Sequence, residues 1–318
     1  MDQNNLEYDW IENWTTVPST PSAITNGRTH GVVVTREGHI LIFHQAKDGL
    51  LTYSSEGTLI ASHGGTRWMN AHGMTLIHEN EQERLLLVDN ASSEVAKTDL
   101  DGRVLMSLEP PKITAYQNQA YEPTWADQNP ENGDIWVCDG YGASLIHRYS
   151  KDGRYISSFD GLDSGQKYDS PHGIRVFITK SGPRLFIADR ANKRIVLCDA
   201  EGKFLHAIKN KTHSPCSFDR HQNKLLIPEL YTGVKVFDIE SFELIKEYGA
   251  NQHVAPNADP NIFWPPIATT GWPDLKGTAL LEKDAFNSPH NACFDHHGDI
   301  YVVEWIEGGG RIIKIEHA

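Results

Sequence analysis

Four histidines stand at one repeated address in this 318-residue chain: His30 in Thr29-His30-Gly31, His72 in Ala71-His72-Gly73, His172 in Pro171-His172-Gly173 and His290 in Pro289-His290-Asn291. Each is followed by a short apolar stretch, a polar turn and a second apolar stretch such as LLLVDN, LFIADR or IYVVEW. Neutral imidazole is the commonest protein metal ligand. Imidazoles held in register by copies of one unit would face a common centre, and the chemistry they could support there is that of a bound metal. Residues so far apart in sequence meet only if a repeating element carries each of them to the same axis.

That element is legible. Anchoring on the residue after the turn gives His30, His72, Thr124, His172, Cys216 and His290, at intervals of 42, 52, 48, 44 and 74 residues. Most of these match the ~40–50 residues of one four-stranded propeller blade. A first strand opens each unit (GMTLI, GIRVFI, NACFD). A turn leads to a second strand ending in an acid or a near substitute (LLLVDN, IWVCDG, LFIADR, LLIPEL, IYVVEW), and a third strand follows (VAKTD, LIHRYS, RIVLCD, VKVFD, RIIKIE). Turns such as DLDGR, SKDGR and DAEGK are hairpin signals that introduce a fourth. Helical periodicity is almost absent. The expected fold is all-β, a six-bladed β-propeller in one domain spanning residues 1–318, with blades beginning near 29, 71, 121, 170, 214 and 288. The first strand of each blade lines the channel. The pattern resembles the NHL class of repeats.

The last unit offers only three strands before Ala318. The expectation is that a strand from around Leu6–Trp14 completes it, closing the ring and removing an exposed edge. The long final interval contains an insertion at 251–287, rich in Pro and Trp (NIFWPPIATTGWPDL). Long segments of this kind serve as functional rims or lids, or pack on a neighbouring loop or subunit.

Composition narrows the partners. With 29 basic and 42 acidic residues the formal charge is −13, spread without blocks. This argues against a nucleic-acid backbone or an anionic membrane surface as the partner. No apolar run approaches the roughly 20 residues of a spanning helix, and the N-terminus MDQNNLEYDWIENW lacks a basic and then apolar leader. Cys138, Cys198, Cys216 and Cys293 are too few and scattered for a disulfide framework and read as buried thiols. A cytoplasmic location is expected.

In a six-bladed ring, blades two, four and six lie about 120° apart. Their channel-facing histidines are His72, His172 and His290. Three imidazoles converging at that angle leave one coordination position open, the arrangement of a catalytic zinc; another divalent metal would also suit. His30 belongs to blade one. It could be a fourth ligand, a substrate-binding group or a channel-lining residue, and the last two are favoured. His44 ends an inner strand near the channel rim and joins it as a substrate-binding or lining candidate. The other histidines fall in turns, outer strands or the tail and read as solvated surface.

Three stretches go beyond the generic repeat. Residues 121–159 (YEPTWADQNPENGDIWVCDGYGASLIHRYSKDGRYISSF), 170–195 (SPHGIRVFITKSGPRLFIADRANKRI) and 289–301 (PHNACFDHHGDIY) resemble the third, the next and the last blade of the peptidyl-α-hydroxyglycine α-amidating lyase family. The resemblance rests on the Asp139-Gly140-Tyr141 turn, the PH and ADR elements and the final PH; Ala71-His72-Gly73 matches less completely. It implies that His72, His172 and His290 bind a catalytic zinc and that Tyr141 and Arg190 act on substrate. Arg28 is the best candidate for a further active-site arginine. It also implies cleavage of the N–C bond of a carbinolamide, giving an amide and glyoxylate. The substrate would then be a small-molecule or peptide-amide carbinolamide. The chain departs from the family at Gly142, where a cysteine stands there, and at Asn291, where an acid helps bind calcium; calcium is therefore not the favoured cofactor here.

Other readings stay open at this stage. Tyr141 could simply pack across its blade, and Arg190 could pair with Asp189 or Asp139 to pin a loop. An open zinc position would serve a hydrolase of lactones, esters or amides equally well. A non-enzymatic NHL platform for protein binding would need neither metal nor the three histidines.

Overall fold

The computed structural model describes residues 8–12, 14–230, 233–250, 284–306 and 309–317. Those residues build six four-stranded antiparallel sheets. Blade one opens with Thr29–Val34 and Ile40–His44, blade two with Ala71–Glu79 and Gln82–Asp89, and blade three with Trp125–Gln128 and Ile135–Asp139. Blade four opens with Pro171–Thr179 and Gly182–Asp189, blade five with Asp219–His221 and Lys224–Glu229, and blade six with Pro289–Phe294 and Ile300–Glu304. The protein is an all-β, six-bladed propeller. The expected closing strand is present: Tyr8–Ile11 pairs antiparallel with Arg311–His317 as the outermost strand of blade six. The 251–287 insertion lies, up to residue 283, outside the described residues.

Alternation along the strands explains why the blades stack. Residues i and i+2 share a face, and both faces of each blade are apolar because each meets a neighbour. Six apolar clusters result, one in every seam. Trp125, Trp136, Ile174 and Val196 fill the seam between blades three and four. Val32, Ile42, Val303 and Ile312 fill the seam that joins blade six back to blade one. All four cysteines are free and buried.

The acid that ends the second strand has a defined task. Asp89, Asp139, Asp189, Glu229 and Glu304 are fully buried. Each accepts a backbone N–H from the loop leading into the first strand of its own blade: Asn70, Glu122, Asp169, His213 and Ser288. Each also grips the chain beyond its own strand, through the Ser92 and Ala143 N–H groups or the side chains of Arg194, Lys235 and Arg311. One carboxylate thus ties together the two loops that surround the channel mouth. In blade one His44 takes this place, buried, with neither ring nitrogen hydrogen-bonded among the described residues.

A buried charge that loses one partner leaves the other uncompensated. Glu304→Ala, which leaves two backbone N–H groups unmet and Arg311 with Glu12 as its remaining carboxylate, is expected to lower unfolding free energy by about 2–5 kcal/mol in urea titrations. A loss below about 1 kcal/mol would show that these carboxylates are dispensable to the ring.

Candidate functional site

The structure gathers His72, His172 and His290 on the channel axis, their ring centroids 4.8, 4.9 and 4.8 Å apart. All three are buried. Their orientation is set by the blades between them. The Nδ1–H of His72 donates to the Thr124 carbonyl at 2.7 Å, that of His172 to Cys216 at 2.8 Å and that of His290 to His30 at 2.9 Å. A carbonyl can only accept, so each ring carries its proton on Nδ1 and turns a bare Nε2 inward. This is how a protein fixes the tautomer of a metal-ligating histidine. The histidine–glycine pairs have the same origin. A Cβ on Gly73 would stand 2.5 Å from the Thr124 oxygen, and one on Gly173 would stand 2.3 Å from that of Cys216. At these two positions glycine leaves room for the neighbouring carbonyl, whereas His290, followed by Asn291, reaches the His30 carbonyl without one.

Tyr141 caps this cluster. Its hydroxyl lies 3.1 Å from His72 Nε2 and 3.2 Å from His172 Nε2, and Arg190 Nη2 donates to it at 3.4 Å. The Arg190 guanidinium sits 5.5 Å from the tyrosine ring centroid and also reaches Ser170. Among the described residues, the two carboxylates considered as partners for Arg190 are held by other groups. The Asp189 carboxylate takes Arg194, Asn192 and the Asp169 N–H, and that of Asp139 takes Tyr116 and the N–H groups of Glu122 and Ala143. Arg28 stacks on Trp305 with its Cζ 4.9 Å from the ring and lies near Asn26 and Gln45.

Above the cluster is a cavity of about 620 Å³, within the range of small-molecule sites. His30, His72 and His290 reach it, as do Arg28, Tyr141 and Arg190. His172, whose Nε2 meets the Tyr141 hydroxyl, is off its wall. His44 is off it too, lodged against the Gly27 side of its blade. Gln45, Asn90, Leu230 and Trp305 complete the wall with Ser170, Ser214 and Lys193, and none of these was singled out from sequence. A signal for them existed. Gln45, Asn90, Arg190, Leu230 and Trp305 each directly follow the last residue of a second strand, and Tyr141 follows two residues after. No Asp or Glu lines the cavity among the described residues, although the chain carries 42 acids.

The imidazoles are held neutral. Burial, which strips the charged form of its water, is the main cause. His30, His72 and His172 fall well below the ordinary 6.5, and His290 falls to about 3. The nearby His290 adds to the effect at His30 and His72, and Arg190 adds to it at His172 and His290.

These donors fit a divalent metal. The inward Nε2 atoms of His72 and His172 share the single proton of the Tyr141 hydroxyl. His290 Nε2 has no hydrogen-bond partner among the described residues. Three lone pairs face one proton, a deficit of positive charge that a cation would fill. His30 belongs to the same cluster: one nitrogen each of His30, His72 and His290 lie within 4.8 Å of one another. The distance condition is met by a set that includes His30 and omits His172, whereas the triangle of ring centroids and the Nδ1 anchoring link His72, His172 and His290. Calcium does not fit at Asn291. Its Oδ1 accepts the Val32 N–H at 2.7 Å, its Nδ2 donates to Ser217, and the Arg175 guanidinium shares the cavity below, paired with Asp127 at 3.0 Å.

No family model matches the chain. An alignment covering 58% of this chain is 22% identical to the peptidylglycine alpha-amidating monooxygenase of Rattus norvegicus and covers 22% of that protein. Among solved structures, the virginiamycin B lyase of Staphylococcus aureus superposes with a TM-score of 0.59 at 15% identity, covering 98% of this chain and 99% of that one. A gluconolactonase of Xanthomonas campestris gives 0.59 at 12% identity, covering 93% and 88%. The structural likenesses are of fold, and they place the chain beside enzymes built on the same propeller. Among the described residues, no helix is long and apolar enough to cross a membrane.

The neutral imidazoles give stability a definite pH dependence. In the unfolded chain they titrate near 6.5, so between pH 6.5 and about 3 the unfolded state binds more protons. Their contribution is complete above pH 6.5 and is lost as pH falls through that window. Urea midpoints of the chelator-treated protein are expected to drop between about pH 7 and 5, with a shallower slope in His290→Asn. An unchanged slope in that variant would mean that His290 is already charged when folded.

Proposed function

We propose that the protein is a metal-dependent lyase that splits a small carbinolamide carboxylate into an amide and a glyoxylate-type aldehyde. The observation that carries this reading is the Tyr141 hydroxyl, set against two metal-ready imidazole nitrogens and beside the Arg190 guanidinium. Support comes also from the distant sequence relation to the amidating monooxygenase and from the absence of acids on the described cavity wall.

His72, His172 and His290 would hold the metal, with zinc the best match to an all-imidazole set. Bound there, it would supply Lewis acidity toward the substrate hydroxyl. The remaining work belongs to the chain. Arg28, kept flat by Trp305, and Arg190 present guanidinium groups to the substrate carboxylate, orienting the breaking bond. Tyr141 as phenolate takes the hydroxyl proton. The C–O bond becomes the aldehyde carbonyl as the C–N bond breaks, and the nitrogen keeps the electron pair. That nitrogen takes a proton back from Tyr141, so the phenolate is restored. Leu230 and the face of Trp305 supply apolar surface for the amide part.

The purified protein should contain about one equivalent of zinc per chain, and His72→Ala, His172→Ala and His290→Ala should each lose it. Tyr141→Phe should keep the metal and lower kcat for glyoxylate release from an α-hydroxyglycine amide by ~10²–10⁴-fold. A metal-free folded parent would sink the reading. Metal with no glyoxylate release, but with turnover of a lactone or ester, would replace the lyase by a hydrolase on the same centre.

A further inference from the structure

The six anchor residues form two interleaved sets. His72, His172 and His290 come from blades two, four and six. His30, Thr124 and Cys216 come from blades one, three and five, and their carbonyls receive the three Nδ1 protons. In this second set, Thr124 Oγ1 bonds to the Pro171 carbonyl at 3.2 Å and Cys216 Sγ contacts the Ser214 carbonyl at 3.6 Å. His30 differs. It is 3% exposed, and neither of its ring nitrogens has a hydrogen-bond partner among the described residues.

Its ring is not aimed into apolar packing. The centroid lies 4.3 Å from that of His290 and 4.8 Å from that of His72, at the floor of the cavity. One of its nitrogens meets the distance condition for sharing an ion with these two. An imidazole needs a proton on one nitrogen and presents a lone pair on the other. Burying both unmet is costly, and a fourth coordination bond would satisfy the lone pair.

We propose that His30 is a fourth, exchangeable nitrogen ligand, which closes the centre at rest and yields its position to a substrate bearing a hydroxyl beside a carboxylate. This rests on the metal reading above and extends it. Three nitrogens with an open fourth position admit water. A fourth imidazole would keep water out until a better-matched ligand enters from the cavity. His30 is suited to move because its side chain is tied by no hydrogen bond among the described residues, whereas His72, His172 and His290 are each locked through Nδ1.

Cobalt(II) in place of zinc reports the ligand set by its visible absorption, independently of turnover. The cobalt form of the parent is expected to show a four-coordinate nitrogen spectrum unmoved by azide, and glycolate, a small α-hydroxy acid, should shift it. His30→Ala should bind cobalt at least tenfold more weakly and give a spectrum that azide shifts readily. His30→Gln serves the same reading if the alanine variant does not fold, and azide addition to the parent needs no variant at all. A parent whose spectrum azide shifts, or a His30 variant with the parent's affinity and spectrum, would overturn the proposal. Absence of glyoxylate release alongside a His30-dependent cobalt spectrum would instead remove the lyase reading and leave this one standing.

Discussion

A buried carboxylate at the end of each second strand, from blade two through blade six, underlies the rest of the architecture. Taking a carboxylate out of water is expensive unless it is fully hydrogen-bonded. These five meet that condition by gathering backbone N–H groups and cations from loops on both sides of themselves. Burial pushes the carboxyl groups of Asp139, Asp189 and Glu304 upward, and those same contacts pull them back. The loop that each carboxylate holds leads into the anchor residue of its blade, and the chain just beyond the carboxylate carries the cavity wall. Tyr141, Arg190, Leu230 and Trp305 are therefore positioned by the same groups that position His72, His172 and His290.

Much of this was legible in the sequence because the blade repeat keeps strict register. The spacing of the anchors led to the blade count, and the blade count led to the alternation that sets His72, His172 and His290 apart. The closing strand at Tyr8–Ile11 followed from an incomplete last unit. What escaped notice has a physical reason. Gln45, Asn90, Leu230 and Trp305 share an address with Arg190, yet they are chemically unlike one another, so no residue type advertised them. His44 was placed near the channel because it ends an inner strand. It stands in the slot of the buried acids, and that slot faces the loops rather than the cavity. His30 carried the same histidine–glycine signature as His72 and His172, and beyond its place in blade one it is set apart by ring nitrogens that have no hydrogen-bond partner among the described residues.

The cavity inverts the charge of the chain that surrounds it. A molecule with a formal charge of −13 sets Arg28, Arg190 and Lys193 around a small space, with no carboxylate among the described lining residues. Cations that converge in a partly desolvated cleft attract anions more strongly than the same cations would on an open face. The guanidinium groups are also planar and stack on aromatic rings, Arg28 on Trp305 and Arg190 over Tyr141, and a guanidinium fork suits carboxylate or phosphate oxygens.

The hydrogen bonds that run from each imidazole to the following blade also order events during biosynthesis. His290 is oriented by the carbonyl of His30, so the last blade to emerge from the ribosome is aligned by the first. Until that seam forms, His72 and His172 can meet in a growing chain, but the third nitrogen is missing and so is the group that would aim it. Tyr8–Ile11 must also wait, because its partner strand Arg311–His317 follows the other five blades in the chain. On the metal reading proposed above, capture of an ion would be coupled to completion of the ring, because a chain stalled after five blades lacks His290.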